Sequence, residues 1–268
     1  MKGLTDLNVC LKIVTFNIRT ENAMDGVNSF SKRKDGICAF FNRHQPDILC
    51  FQELTPAMAA AIAPRLSGYY MVGCGREANF DGEQCSVAYK RDIFRLVRAE
   101  TFWLSDTPEK AGSRYAYQSR HPRICTVLWL SINGGRSKGK LLRIYNTHLD
   151  HVEEYARTMG LTLILRHMED RRNWPELSTV LTGDFNAVPG SEPLRVLEQS
   201  VRPSLLDITK ELPCTFHNYG KAQEKIDYIF TDRRTAEGVK EVGICHGEQE
   251  NEGLYLSDHY PVEAQLYV

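Results

Sequence analysis

Polar side chains suited to acid–base or metal chemistry recur where short apolar, strand-like runs of this sequence end. Glu53 closes the run DILCFQE, and Asp184 and Asn186 lie at the end of LSTVLTGDFN. The full set is Asn17, Glu53, His148, Asp150, Asp184, Asn186, Asp227, Asp258 and His259. If the strands lie side by side, their ends bring these groups to one rim of the molecule.

The residue types in this set suit hydrolysis more than any other chemistry. Carboxylates combined with an amide and two imidazoles can bind a hard cation such as Mg²⁺ or Mn²⁺. A carboxylate near that cation could position or deprotonate a water, while imidazoles hold negative charge on phosphate oxygens. Any single member would pass as an ordinary solvated strand-end residue. The prediction therefore depends on the ordered set.

Strand and helix patterns alternate along the chain, which favours α/β sheets covered by helices. Helical spacing or capping predicts helices from Ser31 to His44, from Pro56 behind Thr55, from about Glu153 to Arg172, and after Ser191. Strands are predicted at LKIVTFN, DILCFQE, LLRIYNTHLDH, LSTVLTGDFN, KIDYIF, GVKEVGI and HYPVEAQLYV, and through most of residues 69–132.

The bulk composition describes a globular chain with one domain. The 268 residues are 42% hydrophobic and 25% charged, so a large core can form. No internal repeat, low-complexity tract or linker divides the sequence. The formal net charge of -1 gives no sign of a strongly basic nucleic-acid-binding surface, although a small basic cleft is compatible with it.

The eight cysteines are scattered, without a CxxC pair or a close Cys/His cluster. Several lie in apolar strand-like runs, such as Cys50 in DILCFQE and Cys125 in RICTVLWL. This pattern predicts buried free thiols rather than a zinc site or a disulfide framework. No signal peptide or membrane-length apolar stretch is visible, so we expect a soluble cytoplasmic protein without a membrane partner.

Six motifs in order resemble those of the endonuclease/exonuclease/phosphatase superfamily. They are TFNIR, FQE, NTHLDH, GDFN, IDYIF and SDHYPV, and they extend from Thr15 to Val262. The pairing of GDFN with the late SDHYPV is the most specific part of the match. The resemblance implies a four-layer α/β sandwich, with two mixed β-sheets face to face and helices outside, and a single catalytic domain over residues 1–268.

The resemblance also implies a metal site. Glu53 matches the principal ligand of Mg²⁺ or Mn²⁺, with Asn17 and Asp258 beside it. Arg19 stands where some relatives have an acidic ligand for a second ion, which argues against a second metal at that position.

Catalytic roles are implied at five further positions. Asp184 matches the residue that orients or deprotonates the attacking water, and Asn186 would hold the scissile phosphate and place Asp184. His148 and His259 would contact phosphate oxygens, and Asp227 would orient His259 and raise its basicity. The group that acts as general base is argued differently across the superfamily.

Departures from two motifs narrow the choice of branch within the superfamily. Apurinic endonucleases of the superfamily usually have a lysine soon after the Gln-Glu motif and a tyrosine at the position of His148. This sequence has FQELT and NTHLDH instead, which argues against DNA repair. The stretches GVNSFSKRKDGI, TFWLSDTP and PRICTVLWL are most similar to a compact bacterial group whose substrate is unassigned.

Substrate contacts are expected from loops. The segment from Thr107 to Arg123 interleaves basic and aromatic residues, among them Arg114, and could hold phosphate and stack a ring, or could be a solvated loop. Phe216 and Tyr219, just before the Asp227 strand, could line the cleft.

These observations predict a Mg²⁺- or Mn²⁺-dependent hydrolase of phosphate esters, and foremost a phosphodiesterase or nuclease. The alternative is a phosphomonoesterase acting on a sugar, inositol or nucleotide phosphate. A non-catalytic binding module on the same fold is disfavoured because every core position keeps its functional residue. The expected partner is a phosphate-ester substrate, with nucleic acid among the candidates.

Overall fold

The alternating patterns become twelve strands and five α-helices in the computed structural model, which describes residues 9–170, 177–247 and 250–268. The strands are β1 (Cys10–Asn17), β2 (Ile48–Gln52), β3 (Tyr69–Val72), β4 (Val87–Lys90), β5 (Phe94–Trp103), β6 (Ile124–Ile132), β7 (Leu141–His148), β8 (Leu177–Asp184), β9 (Leu205–Asp207), β10 (Asp227–Asp232), β11 (Val239–Ile244) and β12 (Val262–Tyr267). The helices are α1 (Phe30–His44), α2 (Pro56–Ile62), α3 (Glu154–Asp170), α4 (Glu192–Glu198) and α5 (Arg233–Ala236). Short 3₁₀ turns lie at Ala23–Asn28, Ala63–Leu66 and Glu250–Glu252.

The strands form two mixed sheets of six strands each. The first has the order β11-β12-β1-β2-β4-β3, and the second has the order β5-β6-β7-β8-β10-β9. Only β1 with β2 and β7 with β8 pair in parallel, and each parallel pair lies at the centre of its sheet. Helical segments connect the strands of both parallel pairs, as parallel pairing requires.

Apolar residues on the inner faces of both sheets form the central core. Ile13 and Cys50 of the first sheet and Leu128, Ile144 and Val180 of the second belong to this buried cluster. Alternate residues of the same strands point the other way, which is the period-two pattern of a strand buried on both faces.

Helices cover the two outer faces. Phe40 of α1 and Met58 of α2 pack with Phe16 and Phe51 on the first sheet. On the second sheet, α3 and α4 contribute to a cluster that includes Trp129 and Tyr145. The order helix, sheet, sheet, helix confirms the four-layer α/β sandwich that the motifs predicted.

A buried amide network joins the two sheets. Asn146 of β7 donates from Nδ2 to the backbone oxygens of Phe51 (2.8 Å) and Ser86 (3.1 Å). Gln52 of β2 donates from Nε2 to Asn146 Oδ1 at 2.6 Å and to Thr15 Oγ1 at 3.0 Å. These polar groups are buried. The network satisfies the Asn146 side chain and Gln52 Nε2, whereas Gln52 Oε1 has no hydrogen-bond partner among the described residues.

The predicted elements are present, with three differences in detail. The short strand β9 and the one-turn helix α5 were not predicted, because three or four residues carry no measurable periodicity. Residues 104–123 form an irregular loop inside the region predicted to be mostly strand. The predicted end of α3 at Arg172 lies outside the described residues.

The cysteines match the expectation of free thiols. All eight are unpaired, and Cys38, Cys50, Cys85, Cys125 and Cys245 are buried. Burial raises the pKa of the Cys50 thiol and of the Cys85 thiol, each to about 12. None of the helices in the described residues is long and apolar enough to cross a membrane.

Candidate active site

The pairing of β7, β8 and β10 aligns three of the predicted catalytic residues in one row. His148 at the end of β7 lies opposite Asp184 at the end of β8. Asp184 in turn lies opposite Asp227, where the antiparallel β10 begins. The backbone at Gly183 allows this approach: its φ is +150°, and a Cβ there would come within 2.0 Å of the Thr147 oxygen. The glycine of GDFN is therefore a packing requirement of the row.

Strand ends from both sheets open onto one cleft of about 420 Å³. A cleft of this volume lies within the usual range of small-molecule sites. Its walls are mostly charged and imidazole-bearing, and among the lining residues are Arg19, Glu53, Arg76, Glu83, His121, Arg123, His148, His151, Asp184, Asn186, Phe216, Asp258 and His259.

Asp227, His259 and Asp184 form a buried charged chain. Nδ1 of His259 lies 2.8 Å from Asp227 Oδ2, and Nε2 lies 3.7 Å from Asp184 Oδ2. Burial lowers the pKa of His259, but the charge of Asp227 and its hydrogen bond outweigh burial and raise that pKa to about 10. Burial and the charge of Asp227 raise the pKa of Asp184 to about 7. At neutral pH, His259 is thus a cation beside a carboxyl group that can accept a proton.

His148 lies on the other side of Asp184 in a different charge state. Its Nε2 lies 3.5 Å from Asp184 Oδ2. Burial, followed by the charges of Arg123 and Arg76, lowers the pKa of His148 well below its usual value. His148 is therefore neutral where His259 is charged, so the two imidazoles are not interchangeable.

Asn17 links Asp184 to Glu53, the expected metal ligand. Its Nδ2 donates to Asp184 Oδ2 at 2.9 Å and to Glu53 Oε1 at 3.1 Å. The other oxygen of Glu53 accepts the Thr20 N–H at 2.9 Å. Burial acts to raise the pKa of Glu53, but the Thr20 N–H and the Arg19 charge outweigh it and hold that pKa low. Glu53 is an ionised ligand at neutral pH.

Two site residues adopt strained backbone conformations. Glu53 has a φ of 58° and Asn186 a φ of 48°, in the left-handed region that side chains other than glycine rarely occupy. The Asn186 turn is fixed by its N–H to Asp184 Oδ1 (2.9 Å) and by its Nδ2 to the Leu149 oxygen (3.0 Å). Such strain, held by surrounding bonds, is typical of functional sites.

Among the expected ligands Asn17, Glu53 and Asp258, the two carboxylates present oxygens suited to a hard cation, whereas Asn17 Oδ1 accepts the Arg19 N–H at 3.0 Å. Oxygen donors of this kind suit Mg²⁺ or Mn²⁺ better than softer metals. Burial and the charge of Glu53 raise the pKa of Asp258, and a bound cation would relieve that repulsion. Arg19 Nε lies 3.5 Å from Asp258 Oδ2, and the charges of His259 and Arg19 both act to lower the pKa of this carboxyl group. Asp184, Asp227 and His259 form a second buried group whose ligand atoms lie within 4.8 Å of one another.

The residues predicted to bind substrate divide into two groups. Arg123 and Phe216 line the cleft, and the ring of Phe216 packs against His259 with centroids 4.8 Å apart. Arg114 lines a separate depression with Lys110. Tyr219 directs its hydroxyl to Asp25 Oδ2 at 3.1 Å, at the side of the cleft rather than in its wall. Asp150 accepts the Val152 and Glu153 N–H groups ahead of α3, so it forms the cap that the sequence allowed.

Arg76 and Glu83 are among the cleft residues that were not predicted. Arg76 and Glu83 form an ion pair, with Arg76 Nη1 2.6 Å from Glu83 Oε2. Both lie in the loop that precedes β4, which returns closely enough that a Cβ at Gly75 would lie 2.1 Å from the Asp81 oxygen. The only sequence signal was the glycine-containing turn in GREANFDGE, which does not show that the loop faces the cleft.

Two mixed sheets packed face to face, with the row of His148, Asp184 and Asp227 at their strand ends, are the architecture of a class of phosphohydrolases. The model of the endonuclease/exonuclease/phosphatase family matches residues 14–259, and the chain belongs to this family. No curated protein sequence matches the chain.

Solved structures show the same relationship. The endonuclease/exonuclease/phosphatase from Bacteroides vulgatus is similar at 29% identity and a TM-score of 0.87, over 97% of this chain and 99% of that one. A mannosyl-6-phosphatase from Bacteroides thetaiotaomicron is 26% identical, with a TM-score of 0.84 over 96% of this chain and 100% of that one. The human Nocturnin catalytic domain, at 20% identity and a TM-score of 0.71 over 97% and 95%, shares the fold.

Proposed function

We propose that this protein is a Mg²⁺- or Mn²⁺-dependent hydrolase of phosphate esters that attacks with a water held at Asp184. The observation that carries the proposal is the position of Asp184, which lies within 3.7 Å of two imidazoles of opposite protonation and 2.9 Å from Asn17. A carboxyl group whose pKa lies near 7 is well matched to proton transfer at neutral pH.

Asn17, Glu53 and Asp258 would hold the cation. When bound, it would supply positive charge to the phosphate oxygens and to the water. Asp184 accepts a proton from the water as the water oxygen forms the bond to phosphorus. The bond between phosphorus and the leaving-group oxygen breaks in the same displacement, and that oxygen keeps the electron pair and takes a proton from solvent. His259, held protonated by Asp227, donates a hydrogen bond to a phosphoryl oxygen, where negative charge develops. Neutral His148 and the Asn186 amide orient the phosphate.

For the substrate, we propose a phosphomonoester of a small molecule. The segment predicted to stack a base leaves Arg114 in a separate depression and Tyr117 79% exposed, which does not favour a nucleic-acid groove. The similarity to a mannosyl-6-phosphatase over almost the full length of both chains supports a monoester. Phosphodiester or nucleic-acid cleavage is the alternative, and both mechanisms use the same row of residues.

The substitution Asp184→Asn tests the role of the base. It keeps the shape of the side chain but removes its basicity, so kcat should fall by roughly 10²- to 10⁴-fold with a small change in KM. Hydrolysis of p-nitrophenyl phosphate and of bis-p-nitrophenyl phosphate with Mg²⁺ or Mn²⁺ would report monoester and diester activity. Exposed Asp92 supplies the control Asp92→Asn, which should match the parent. A kcat for Asp184→Asn within a few-fold of the parent, with chemistry limiting, would refute the proposal.

The substitution Glu53→Ala tests the metal site. It should weaken Mn²⁺ binding by at least about tenfold, because an ionised oxygen ligand is lost. Isothermal titration calorimetry would measure the affinity, and circular dichroism would show whether the fold survives. Exposed Glu241 gives the matched control Glu241→Ala. Unchanged Mn²⁺ affinity in folded Glu53→Ala protein would remove Glu53 from the site.

A further inference from the structure

Two arginines form one wall of the cleft beside His148. Arg76 is 7% exposed and Arg123 is 4% exposed, so both guanidinium groups are nearly desolvated. The same two residues continue into a narrower extension of the cleft, which Glu53, Glu83 and His148 also line. The wall therefore extends the site on the His148 side.

Both arginines keep donors without acceptors. Arg123 Nη2 contacts His151 Nδ1 at 2.9 Å, but within the described part of the chain its Nε and Nη1 have no hydrogen-bond partner. Asp150 Oδ2 lies 3.7 Å from that Nε, beyond hydrogen-bond distance. Arg76 uses Nη1 for Glu83, and its Nε is likewise without a hydrogen bond among the described residues. Buried charged donors of this kind call for an acceptor.

Carboxylates lie beside both guanidinium groups, with Glu77 Oε1 3.7 Å from Arg76 Nε and Asp150 Oδ2 3.7 Å from Arg123 Nε, both beyond hydrogen-bond distance. Burial lowers the pKa of His121 to about 4, and the charges of Arg76, Arg120 and Arg123 add to that decrease. Burial and Arg123 lower the pKa of His151 in the same direction. The imidazoles beside the arginines thus stay neutral at physiological pH. Guanidinium donors without hydrogen bonds among the described residues suit an oxygen-rich anion.

We propose that Arg76 and Arg123 bind a second anionic group of the substrate, a phosphate or carboxylate on the leaving group, while His148 and His259 hold the scissile phosphate. The inference rests on the proposed function, because it names the substrate class of that same site: a phosphomonoester that carries another anion. The guanidinium fork suits such a group, since it can donate two parallel hydrogen bonds to one phosphate or carboxylate.

Matched substrates test the proposal. We expect a hexose 1,6-bisphosphate and 6-phosphogluconate to have a KM at least about tenfold below that of a hexose 6-phosphate. Comparing the first two compounds distinguishes a second phosphate from a carboxylate. The variants Arg76→Gln and Arg123→Gln should raise KM for the doubly anionic substrates by at least about tenfold, with a smaller loss on p-nitrophenyl phosphate. Exposed Arg91 provides the control Arg91→Gln.

Two results would overturn the inference. Equal losses on p-nitrophenyl phosphate and on the bisphosphate, mainly in kcat, would place the arginines on the scissile phosphate instead. No preference of the parent enzyme for a second anion would remove the subsite. Thermal unfolding identifies any glutamine variant that does not fold. The variants Arg76→Lys and Arg123→Lys, which keep the charge but lose the guanidinium fork, then replace the glutamine variants.

Binding separates this inference from the proposed function. Calorimetry on Asp184→Asn protein compares the affinities of the bisphosphate and the hexose 6-phosphate without turnover. A preference for the bisphosphate that Arg123→Gln abolishes would support the subsite even if no phosphate ester were hydrolysed, an outcome that would refute the proposed function alone. If the parent enzyme hydrolyses phosphate esters but Asp184→Asn protein binds the two ligands with equal affinity, the subsite alone is refuted.

Discussion

At the scale of single residues, the candidate chemistry converges on Asp184. Its Oδ2 lies near Nδ2 of Asn17, Nε2 of His148 and Nε2 of His259, so one carboxylate oxygen meets three separate groups. Both imidazoles face the same oxygen, so their opposite charge states come from burial and from the charged groups behind them. His259 has Asp227 behind it, whereas His148 has Arg123 nearby.

The Asp227–His259 pair should behave as one unit. His259→Ala should lower kcat by roughly 10²- to 10³-fold, the usual loss of a donor to developing oxyanion charge. Asp227→Asn should act mainly through His259, its partner at 2.8 Å, so the double variant should cost little more than His259→Ala alone. Steady-state kinetics of the two single variants and the double variant measure this coupling. Fully additive losses would contradict the pairing.

His121 should make the protein less stable in acid. Burial and the charge of Arg76 lower its pKa in the folded protein to about 4, whereas the unfolded value is about 6.5. The unfolded chain therefore binds more protons between these values, and the free energy of unfolding falls as the pH drops from 6.5 towards 4. His121→Gln should reduce the loss of stability between pH 7.5 and pH 5.0 in urea denaturation. An unchanged difference between the two pH values would exclude this contribution.

At the scale of elements, two parallel strand pairs determine where the functional residues lie. Asn17 ends β1 and Glu53 follows β2, so the metal ligands of the first sheet share one edge. His148 and Asp184 end the other parallel pair. Beyond these edges, the side chain of Thr55 caps α2, whereas Ser29 and Ser191, ahead of α1 and α4, make no side-chain capping bond.

Thr55 provides the cap of α2. Its side chain accepts the Met58 N–H at 3.3 Å at the start of α2, two residues after Glu53, and Pro56 occupies the first helical turn. Thr55→Ala should lower the free energy of unfolding by about 1 kcal/mol. Ser191 is a matched control, because it precedes α4 without a side-chain capping bond. A Ser191→Ala loss as large as that of Thr55→Ala in urea denaturation would contradict the assignment.

At the scale of the whole molecule, the two sheets must stay in register across the central core for their strand ends to form one cleft. Apolar packing between the sheets is abundant but not directional. The amide network of Asn146 and Gln52 supplies directional contacts between β7 and β2. Because the network lies close to the parallel strand ends, we infer that it fixes the relative position of Asp184 and Glu53.

Asn146→Ala tests this role. The change leaves the Gln52 amide and buried backbone oxygens with fewer partners, so the free energy of unfolding should fall by about 1–3 kcal/mol. Asn133→Ala is the control, since Asn133 is exposed and its side chain donates only to the Asp92 oxygen. Urea denaturation of both variants gives the comparison. A loss no greater than that of Asn133→Ala would show that the network is not needed for stability.

Most elements could be predicted from the sequence alone because they depend on local patterns, whereas the family and the four-layer architecture followed from the resemblance of six ordered motifs. β-rich runs ending in Asn17, Asp184 or Asp258 are visible in the order of residues. The free thiols followed in the same way from scattered, apolar surroundings of residues such as Cys50 and Cys125. The metal, the base and the cytoplasmic location remain predictions.

Only the tertiary structure decided which polar residues share the cleft and which charge each one has. Arg76 and Arg123 are 47 positions apart in the sequence, and no spacing rule brings them to one wall. Arg114 and Arg123 belong to the same predicted segment, yet only Arg123 lines the cleft. The protonation states of His148 and His259 likewise depend on the tertiary structure. The pKa values of His148 and His259 move in opposite directions because burial and neighbouring charges depend on how the two sheets meet, and a linear pattern does not contain that information.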